Sequence, residues 1–383
     1  MRKACVVVTA RPSYSRIKTA VRAIADHPDL ELQLIVAASA LLDRYGTVMD
    51  QILADGFQID TSVYMVLEGE NPTSMAKTTG LGIMELSTAF HNLKPDVVVT
   101  VADRYETMAT AVAASYMNIP VAHVQGGEVS GSIDEKVRHS ITKLSDLHLV
   151  ATEAARERVV RMGEDPETVF CTGCPSIDLV AEMIDSPDLD FDPIARYGGV
   201  GDDIDLDNGY IIVMQHPVTT EHELARFHVE QTLEAIAGGA HGAMWFWPNV
   251  DAGSDGTSKG IRAFRELRSA GNIHFFKNMA PLDFLRLLAN SRAIVGNSSV
   301  AIREASYLGV PAVNIGTRQR NRERGPNVID VEYDSIAIGE AIQHQVAHGK
   351  YPTSNIYGDG KAGMRIAELL ASRPLRIDKQ LTY

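Results

Sequence analysis

Short apolar runs alternate with segments of helical spacing along most of the chain. Runs typical of buried strands cover residues 4–10, 32–38, 96–102 and 119–124, and segments with apolar residues three and four positions apart lie between several of them. A second series of apolar runs extends over residues 210–316. Strands that alternate with helices favour parallel sheets with right-handed crossovers. The pattern therefore predicts an α/β chain with two Rossmann-like halves in succession.

A change in composition separates the two series. Residues 186–209 are rich in Asp, Gly and Pro and show little periodicity, which is typical of a linker. We expect an N-terminal domain over residues 1–185 and a C-terminal domain over residues 210–360. A final helical segment within residues 361–383 is expected to complete the N-terminal domain. Two domains also suit a chain of 383 residues better than one core does.

The polar residues in and after the strands at 96–102 and 119–124 form the least ordinary stretch of the sequence. Ligands of parallel α/β sheets bind beyond the carboxyl ends of the strands, so charge in this place indicates a site. The acidic residues could instead begin helices, whose positive ends favour them. Paired Gly126 and Gly127 favour the site, because such glycines usually allow positive φ or close backbone approach. The residues concerned are Asp103, Arg104, Glu106, His123, Gln125, Glu128, Asp134, Glu135, Arg138 and His139.

Charge and cysteine content exclude several classes of protein. The 49 acidic and 36 basic residues give a net charge of −13, which disfavours nucleic acid as a partner. No run of eighteen apolar residues occurs, and the short apolar run near the N-terminus is interpreted as the first strand, so neither a membrane segment nor a signal peptide is expected. Cys5, Cys171 and Cys174 make no disulfide framework, which favours a cytoplasmic location.

The first strand is not followed by a nucleotide-binding signature. Residues 9–16 (TARPSYSR) lack the GxGxxG pattern of dinucleotide domains, and no GxxxxGK[ST] occurs in the chain. Arg11, Ser13, Ser15 and Arg16 could still bind an anion at the start of a helix, although a capped helix with two surface arginines would have the same sequence. No cofactor is expected.

The second half contains a better candidate for anion binding. The GNSS sequence at 296–299 joins a predicted strand to a predicted helix, where N–H groups and two hydroxyls would meet the positive helix end. Glu304, further along this helix, could reach the hydroxyls of a ribose. An N-cap without a ligand would look the same. HELAR at 222–226 begins like a zinc-binding motif but lacks its second histidine, so no metal is expected.

Basic residues follow two further strands of this half. His216 ends one strand, where it could be a general acid, a phosphate contact or a buried histidine. Guanidinium groups suit a diphosphate because each donates paired hydrogen bonds, and a solvated basic loop is the alternative. The arginines in question, after the strand at 310–316, are Arg318, Arg320, Arg322 and Arg324.

Taken together, these motifs resemble the UDP-N-acetylglucosamine 2-epimerase family, and specifically its hydrolysing branch. The likeness extends to the epimerase half of the bifunctional animal enzyme of sialic acid synthesis and to bacterial hydrolysing enzymes of the sialic and legionaminic acid pathways. Any one motif is weak, whereas so many in order are specific. They are DRYE (103–106), GGEVSGSIDEKVRHSITK (126–143), GCPSID (173–178), QHPVTT (215–220), PNVDAGS (248–254), GNSS, GTRQ (316–319) and IYGDG (356–360).

The resemblance implies a glycosyltransferase B-type fold with the active site in the cleft between two Rossmann-like domains and UDP bound mainly by the C-terminal one. It implies that UDP-GlcNAc and water become N-acetylmannosamine and UDP through 2-acetamidoglucal, and that the enzyme is a homodimer or homotetramer. The implied catalytic residues are Asp103 and Glu128 as leading acid/base carboxylates, then Asp134, with Arg138 positioning and His216. The implied substrate-binding residues are Arg11, Ser15, Arg104, His216, Asn249, Ser298, Ser299, Glu304 and Arg318.

Three departures from the family pattern bear on the site. Gln125 replaces a glutamate and cannot be a base, Ser13 replaces an acidic residue, and Ala102 replaces the glycine usual before Asp103. The same chemistry on a UDP- or GDP-linked diacetamido-6-deoxy sugar is an open alternative, since a few pocket contacts would decide it. A non-hydrolysing epimerase, a glycosyltransferase and a sugar-nucleotide sensor remain further alternatives, because a fold does not fix its chemistry.

Overall fold

The computed structural model describes residues 1–42, 48–69, 71–131, 133–248, 253–267 and 272–382. Its strands are β1 Arg2–Val8, β2 Leu30–Ala37, β3 Thr61–Val63, β4 Val97–Val101, β5 Val121–Val124, β6 Leu147–Val150, β7 Val169–Cys171, β8 Val200–Gly201, β9 Tyr210–Met214, β10 Gly242–Phe246, β11 Ile273–Phe276, β12 Ala293–Gly296, β13 Ala312–Ile315 and β14 Val328–Val331. Its helices are α1 Arg11–Ser15, α2 Lys18–Asp26, α3 Val48–Ala54, α4 Pro72–Leu93, α5 Tyr105–Tyr116, α6 Asp134–Leu144, α7 Glu153–Arg161, α8 Pro175–Ile184, α9 Pro193–Tyr197, α10 Ala225–Ala237, α11 Ser254–Leu267, α12 Pro281–Asn290, α13 Glu304–Leu308, α14 Ser335–His348 and α15 Ala362–Ser372.

The chain forms two compact units, and each is assembled from separate stretches of sequence. The first unit comprises Met1–Glu128, Ile133–Leu179 and Tyr357–Tyr383. The second comprises Val129–Ser132 and Val180–Ile356. Within the described ranges, each unit contains one sheet.

The sheet of the first unit has the order β3-β2-β1-β4-β5-β6-β7, and all its strand pairs are parallel. Its central strands read as nearly continuous apolar runs because helices cover both faces. Val6 and Val99 belong to the core on one face, and Cys5 and Val98 belong to the core on the other. The carboxyl ends of β4 and β5 therefore lie side by side.

Helix α15 returns to this first unit from the far end of the sequence. Its first turn is held by Asp178, whose carboxylate accepts from the backbone N–H groups of Ala362 at 2.9 Å and Gly363 at 2.7 Å. A Cβ added at Gly363 would lie 2.6 Å from the backbone carbonyl carbon of Thr19, so α15 approaches α2 closely. The final helix predicted from the sequence packs here.

The sheet of the second unit has the order β14-β13-β12-β9-β10-β11-β8. Its pairs are parallel except for β8, which runs antiparallel to β11. Ile211, Val213 and Trp245 form its core with residues of α10, α11 and α14. The loops after β9, β12 and β13 leave from neighbouring strands at the same edge.

The segment 186–209 carries more structure than its composition suggests. Asp192 caps α9 through hydrogen bonds from the N–H groups of Ile194 at 2.8 Å and Ala195 at 3.1 Å, and Pro193 occupies the first turn. Val200 and Gly201 then pair with β11 as β8. Elements this short leave no periodicity in the sequence.

The prediction of an α/β chain with two sheets of Rossmann type is confirmed. Among the helices of the described ranges, none combines the length and apolar character that crossing a membrane requires.

Candidate active site

Strands β4 and β5 both end in a residue with left-handed backbone. Ala102 follows β4 with φ 63°, and Gln125 follows β5 with φ 66°. The two residues continue the ladder, since the Ala102 N–H donates to Val124 at 2.9 Å and the Gln125 N–H donates to Leu149 at 2.9 Å. Positive φ costs a residue other than glycine about 1–2 kcal/mol, and such residues concentrate at functional sites. These turns direct the chain into the two loops that the sequence marks as a site.

His123 holds one of these turns from inside the unit. Its Nε2 lies 2.8 Å from the Ala102 carbonyl, and its Nδ1 lies 3.2 Å from Thr142 Oγ1 on α6. A carbonyl can only accept, so Nε2 carries the proton. The Thr142 hydroxyl has one proton and also lies 3.1 Å from the Arg138 carbonyl, so His123 Nδ1 and that carbonyl share it as acceptors. Burial lowers the pKa of His123 to about 3, against the hydrogen bond to Ala102, which raises it. The imidazole is therefore a neutral brace between the end of β4 and α6.

Arg138 on α6 is a buried cation with several carboxylates of the first unit close to it. Its side chain is 1% exposed, and it donates to Asp103 Oδ2, to the Glu128 carbonyl at 2.9 Å and to Glu135 Oε2 at 3.3 Å. Burial lowers the pKa of Arg138, but the charges of Asp103, Glu128 and Asp134 more than offset this and raise it. A buried arginine in such a position is a fixed positive charge.

The structure brings Asp103, Glu128, Asp134 and Arg138 together, as the sequence predicts for the catalytic group. Glu128 is buried, and Asp134 begins α6, where its charge acts on Arg138. Arg16, in the turn after α1, adds a second cation 3.9 Å from Asp103 Oδ1. Arg16 was a candidate for anion binding from the sequence, and its position beside Asp103 could not be read from spacing.

The paired glycines have the role that the sequence indicates. Gly127 has φ +73°, and a Cβ there would lie 2.4 Å from the Ala155 carbonyl oxygen on α7. A Cβ at Gly126 would lie 2.8 Å from His123 Nδ1. Only glycine fits at these two positions between His123 and α7. The two glycines therefore determine the path of the backbone that leads to Glu128.

Two residues predicted to bind substrate have a more local setting. Arg104 donates from Nε and Nη2 to both oxygens of Glu106, at 3.2 and 3.1 Å. Glu106 is fully buried and also accepts from Ser39 at 3.3 Å. Ser15 ends α1 and is half-buried, whereas the side chain of Arg11 and the whole of Asn249 lie outside the described part of the chain. Binding roles for these residues remain predictions.

In the second unit, Asn297 joins the loops after β9 and β12. Its side chain accepts from the His216 N–H at 2.8 Å and donates to the His216 carbonyl at 2.8 Å. Gly296 permits this contact, because a Cβ there would lie 2.2 Å from the Met214 carbonyl oxygen. Arg318 Nη1 donates to the Asn297 carbonyl at 3.3 Å. Asn297 therefore places the predicted diphosphate residues His216 and Arg318 beside each other.

The sequence predicts one helix that begins directly after Ser299 and includes Glu304, and this prediction is wrong about the extent of the helix. Ser298 Oγ accepts from the Val300 N–H at 3.4 Å and begins a 3-10 turn over Ser299–Ala301, and α13 starts only at Glu304. Arg303, with φ −100° and ψ −75°, interrupts the two. The Ser298 hydroxyl therefore caps a short turn, the Ser299 hydroxyl accepts from Arg303 at 3.5 Å, and neither meets the end of a long helix. Glu304 is buried, and its Oε2 has no hydrogen-bond partner among the described residues.

The arginines of the basic loop make different contacts: Arg318 donates to Asn297, Arg322 also reaches the Val129 carbonyl at 3.2 Å, and Arg324 bonds within the loop and to Asp330. Arg322 donates to Gln319 Oε1 at 2.9 Å, and Arg324 donates to the Gln319 carbonyl at 2.7 Å and pairs with Asp330. Gln319 Nε2 in turn donates to the Asn297 carbonyl at 2.9 Å. The clustering in the sequence thus combines a candidate ligand contact, Arg318, with loop structure.

The described residues contain no group of three or more His, Cys, Asp or Glu side chains placed to hold a metal ion.

Comparison with known proteins gives a consistent result. The family model described as UDP-N-acetylglucosamine 2-epimerase matches residues 22–371. The UDP-N,N'-diacetylbacillosamine 2-epimerase (hydrolyzing) of Legionella pneumophila is 34% identical, over 98% of this chain and 97% of its own. The UDP-N-acetylglucosamine 2-epimerase of Neisseria meningitidis is 32% identical, over 94% of this chain and 92% of its own.

The fold is also that of a solved structure. The crystal structure of UDP-GlcNAc 2-epimerase from Neisseria meningitidis bound to UDP-GlcNAc matches with a TM-score of 0.78 at 21% identity, over 97% of this chain and 100% of that one. The likeness confirms the predicted glycosyltransferase B-type fold.

Proposed function

The chain belongs to the UDP-N-acetylglucosamine 2-epimerase family, and on that premise we propose that it is the hydrolysing enzyme, which converts UDP-GlcNAc and water into N-acetylmannosamine and UDP. The observation that carries the proposal is the buried Arg138 among Asp103, Glu128 and Asp134. Acid–base chemistry at a sugar carbon needs positioned carboxylates, and this unit supplies Asp103, Glu128 and Asp134 near one fixed cation, which Glu135 also contacts.

The reaction requires a proton to leave C2 of the sugar as the bond from C1 to the diphosphate breaks. The C2 proton is only weakly acidic, so its removal becomes feasible as cationic character grows at C1. One carboxylate accepts this proton, and UDP departs with the electron pair of the C1–O bond, which leaves 2-acetamidoglucal. Water then adds its oxygen to C1, and C2 receives a proton on the opposite face. We assign these proton transfers to Asp103 and Glu128, with Asp134 next.

The departing diphosphate needs donors that hold negative charge in the transition state. His216, Ser298, Ser299 and Arg318 are proposed for this role, with Glu304 on the ribose. Support comes from Asn297, which bonds His216 through its side chain and Arg318 through its carbonyl. Glu304 has a buried carboxylate oxygen without a protein partner in the described ranges, as a ribose contact would require.

The identity of the sugar has two candidates, each supported by a relative. The Legionella relative is named for a diacetylbacillosamine, and the Neisseria relative is named for N-acetylglucosamine. Identities of 34% and 32% favour neither strongly. We propose UDP-GlcNAc as substrate, feeding synthesis of a sialic-type acid, with the UDP- or GDP-linked diacetamido-6-deoxy sugar as the second candidate.

Product analysis with each sugar nucleotide tests this proposal. Purified protein incubated with UDP-GlcNAc should release free UDP and free N-acetylmannosamine in equal amounts, without any added acceptor. A UDP-linked N-acetylmannosamine product without free UDP would identify a non-hydrolysing epimerase. Turnover of only the diacetamido nucleotide would move the assignment to the second substrate. Binding of every nucleotide without turnover would contradict catalysis altogether.

A further inference from the structure

The chain that follows α15 is fastened to the first unit at several points. The guanidinium of Arg373 lies 4.7 Å from the ring centre of Phe170. The Thr382 N–H donates to the Gly163 carbonyl at 3.1 Å. Between these two anchors, Lys379 reaches the C-terminal end of α6. Residues 373–382, here called the C-terminal strap, therefore contact the helix that carries Arg138.

Lys379 is fully engaged at that helix end. Its ammonium group lies 3.2 Å from the Thr142 carbonyl, 2.9 Å from the Lys143 carbonyl and 2.5 Å from the Ser145 carbonyl. The last carbonyls of a helix have no partner within the helix and carry the negative end of its dipole. A lysine inserted from a distant part of the chain satisfies both needs, and its side chain is only 24% exposed.

Glu164 contacts the same ammonium group. Its carboxylate, 2% exposed, lies 2.5 Å from Lys379, 2.5 Å from Lys143 and 2.9 Å from His148 Nε2. Burial raises the pKa of Glu164, but hydrogen bonds from His148, Lys143 and Lys379 outweigh it and lower the pKa to about 2. The carboxylate therefore stays charged and holds Lys379 against α6.

The end of α6 is connected to the carboxylate cluster by a continuous set of hydrogen bonds. The Thr142 carbonyl accepts from Lys379, and the Thr142 hydroxyl oxygen lies 3.2 Å from His123 Nδ1. His123 in turn donates to the Ala102 carbonyl at 2.8 Å, and Ala102 directly precedes Asp103. Arg138 lies one helical turn before Thr142 on α6. The contacts of Lys379 thus lead both to Asp103 and to its partner Arg138.

We propose that Lys379 is a positioning residue for the epimerase reaction, acting through α6, Thr142 and His123 on the placement of Asp103 and Arg138. The expected loss of turnover rests on the proposed function. The expected loosening of α6 and of the residues around Asp103 rests on the hydrogen-bond geometry alone. A displacement of catalytic groups by a fraction of an ångström lowers turnover without weakening nucleotide binding. The residues proposed above for the diphosphate and the ribose, His216, Ser298, Ser299, Glu304 and Arg318, belong to the second unit, whereas every contact of the strap described above lies in the first.

Hydrogen exchange tests the structural part without any assay of activity. Lys379→Met keeps the apolar stem and removes the charge, and Lys136→Met on the exposed face of the same helix is the matched control. Lys379→Met should speed amide exchange in residues 134–144 and also in residues 100–106, whereas Lys136→Met should change neither. Faster exchange confined to the last turn of α6 would show a helix cap with no influence on Asp103, and would overturn the proposal.

Steady-state kinetics tests the catalytic part. Lys379→Met should lower kcat about tenfold at a temperature where the variant is folded, with the affinity for UDP unchanged. Lys379→Arg, which can donate to the same carbonyls, should recover most of the lost turnover. Wild-type kcat in Lys379→Met would overturn the proposal. If the wild-type protein turns over no sugar nucleotide, the proposed function falls, and the exchange at residues 100–106 still decides the positioning role.

Discussion

At the scale of single residues, the proposed function depends on the buried Arg138 and the carboxylates near it. We expect Asp103→Asn and Glu128→Gln each to lower kcat by about a hundredfold or more, because each removes a group proposed to transfer a proton. Turnover of purified variants, with circular dichroism to verify folding, measures this. Glu153→Gln is the control, since Glu153 is 61% exposed and pairs with its helix neighbour Arg156 at 2.7 Å. Near-normal turnover in either variant would remove that carboxylate from the mechanism.

A second prediction at this scale concerns stability in acid. The folded chain keeps His123 neutral down to about pH 3, while an unfolded histidine takes up a proton below about 6.5. The unfolded state therefore binds more protons in this window, and the free energy of unfolding falls as the pH falls, by about 1.4 kcal/mol per pH unit for one histidine. Burial lowers the pKa of His148 too, so it acts in the same direction.

Denaturant unfolding at several pH values between 6 and 4 tests this linkage. The slope of unfolding free energy against pH should be smaller in His123→Gln than in the wild-type protein. The difference should correspond to the uptake of about one proton fewer on unfolding. Equal slopes in the two proteins would show that His123 is protonated in the folded chain, and would contradict its role as a neutral brace.

Single residues were only partly predictable. The sequence indicated positive φ or close approach at Gly126 and Gly127, and the structure shows both features there. The amino-acid sequence does not indicate the left-handed backbone at Gln125, because glycine is the residue type that usually marks this conformation. At Ala102 the single signal was the resemblance, whose pattern has glycine before Asp103. Hydrogen-bond partners such as His123 and Thr142, nineteen residues apart, follow from tertiary packing and not from spacing.

At the scale of elements, Gly127 links the loop of Glu128 to α7. Gly127→Ala should destabilise the chain by more than about 1 kcal/mol and lower turnover, because the added Cβ would lie 2.4 Å from a backbone carbonyl at a φ of +73°. Gly80→Ala on α4 is the matched control, since nothing lies within 4 Å of its added Cβ. That change should stabilise the protein slightly. Thermal unfolding of both variants measures the difference, and equal melting temperatures would contradict the close approach.

Element type was easier to predict than element length. Strands such as β4 and β12 stand out because they are buried on both faces and read as apolar runs. The helix after GNSS was overestimated, because caps of a 3-10 turn and of an α-helix use the same residues. Helix α9 and strand β8 lie in a stretch whose Asp, Gly and Pro content is typical of linkers, and their partners, such as Asp283 and β11, are far away in sequence.

At the scale of the whole molecule, the two series of strands predicted two sheets, and the fold and the family confirm this. The division into units is less regular than the sequence suggests, because Val129–Ser132 groups with the second unit while its neighbours on both sides belong to the first. Apolar periodicity indicates which residues are buried, but it does not indicate to which of the two units a buried residue belongs. The homodimer or homotetramer and the cytoplasmic location stay predictions.

The central claim is that the chain eliminates UDP from the sugar and then adds water, and proton NMR of the reaction in D2O tests it most directly. Purified protein with UDP-GlcNAc should give free UDP and N-acetylmannosamine that carries deuterium at C2, because C2 loses its own proton and regains one from solvent. N-acetylglucosamine or N-acetylmannosamine that kept its original C2 proton would contradict the elimination route.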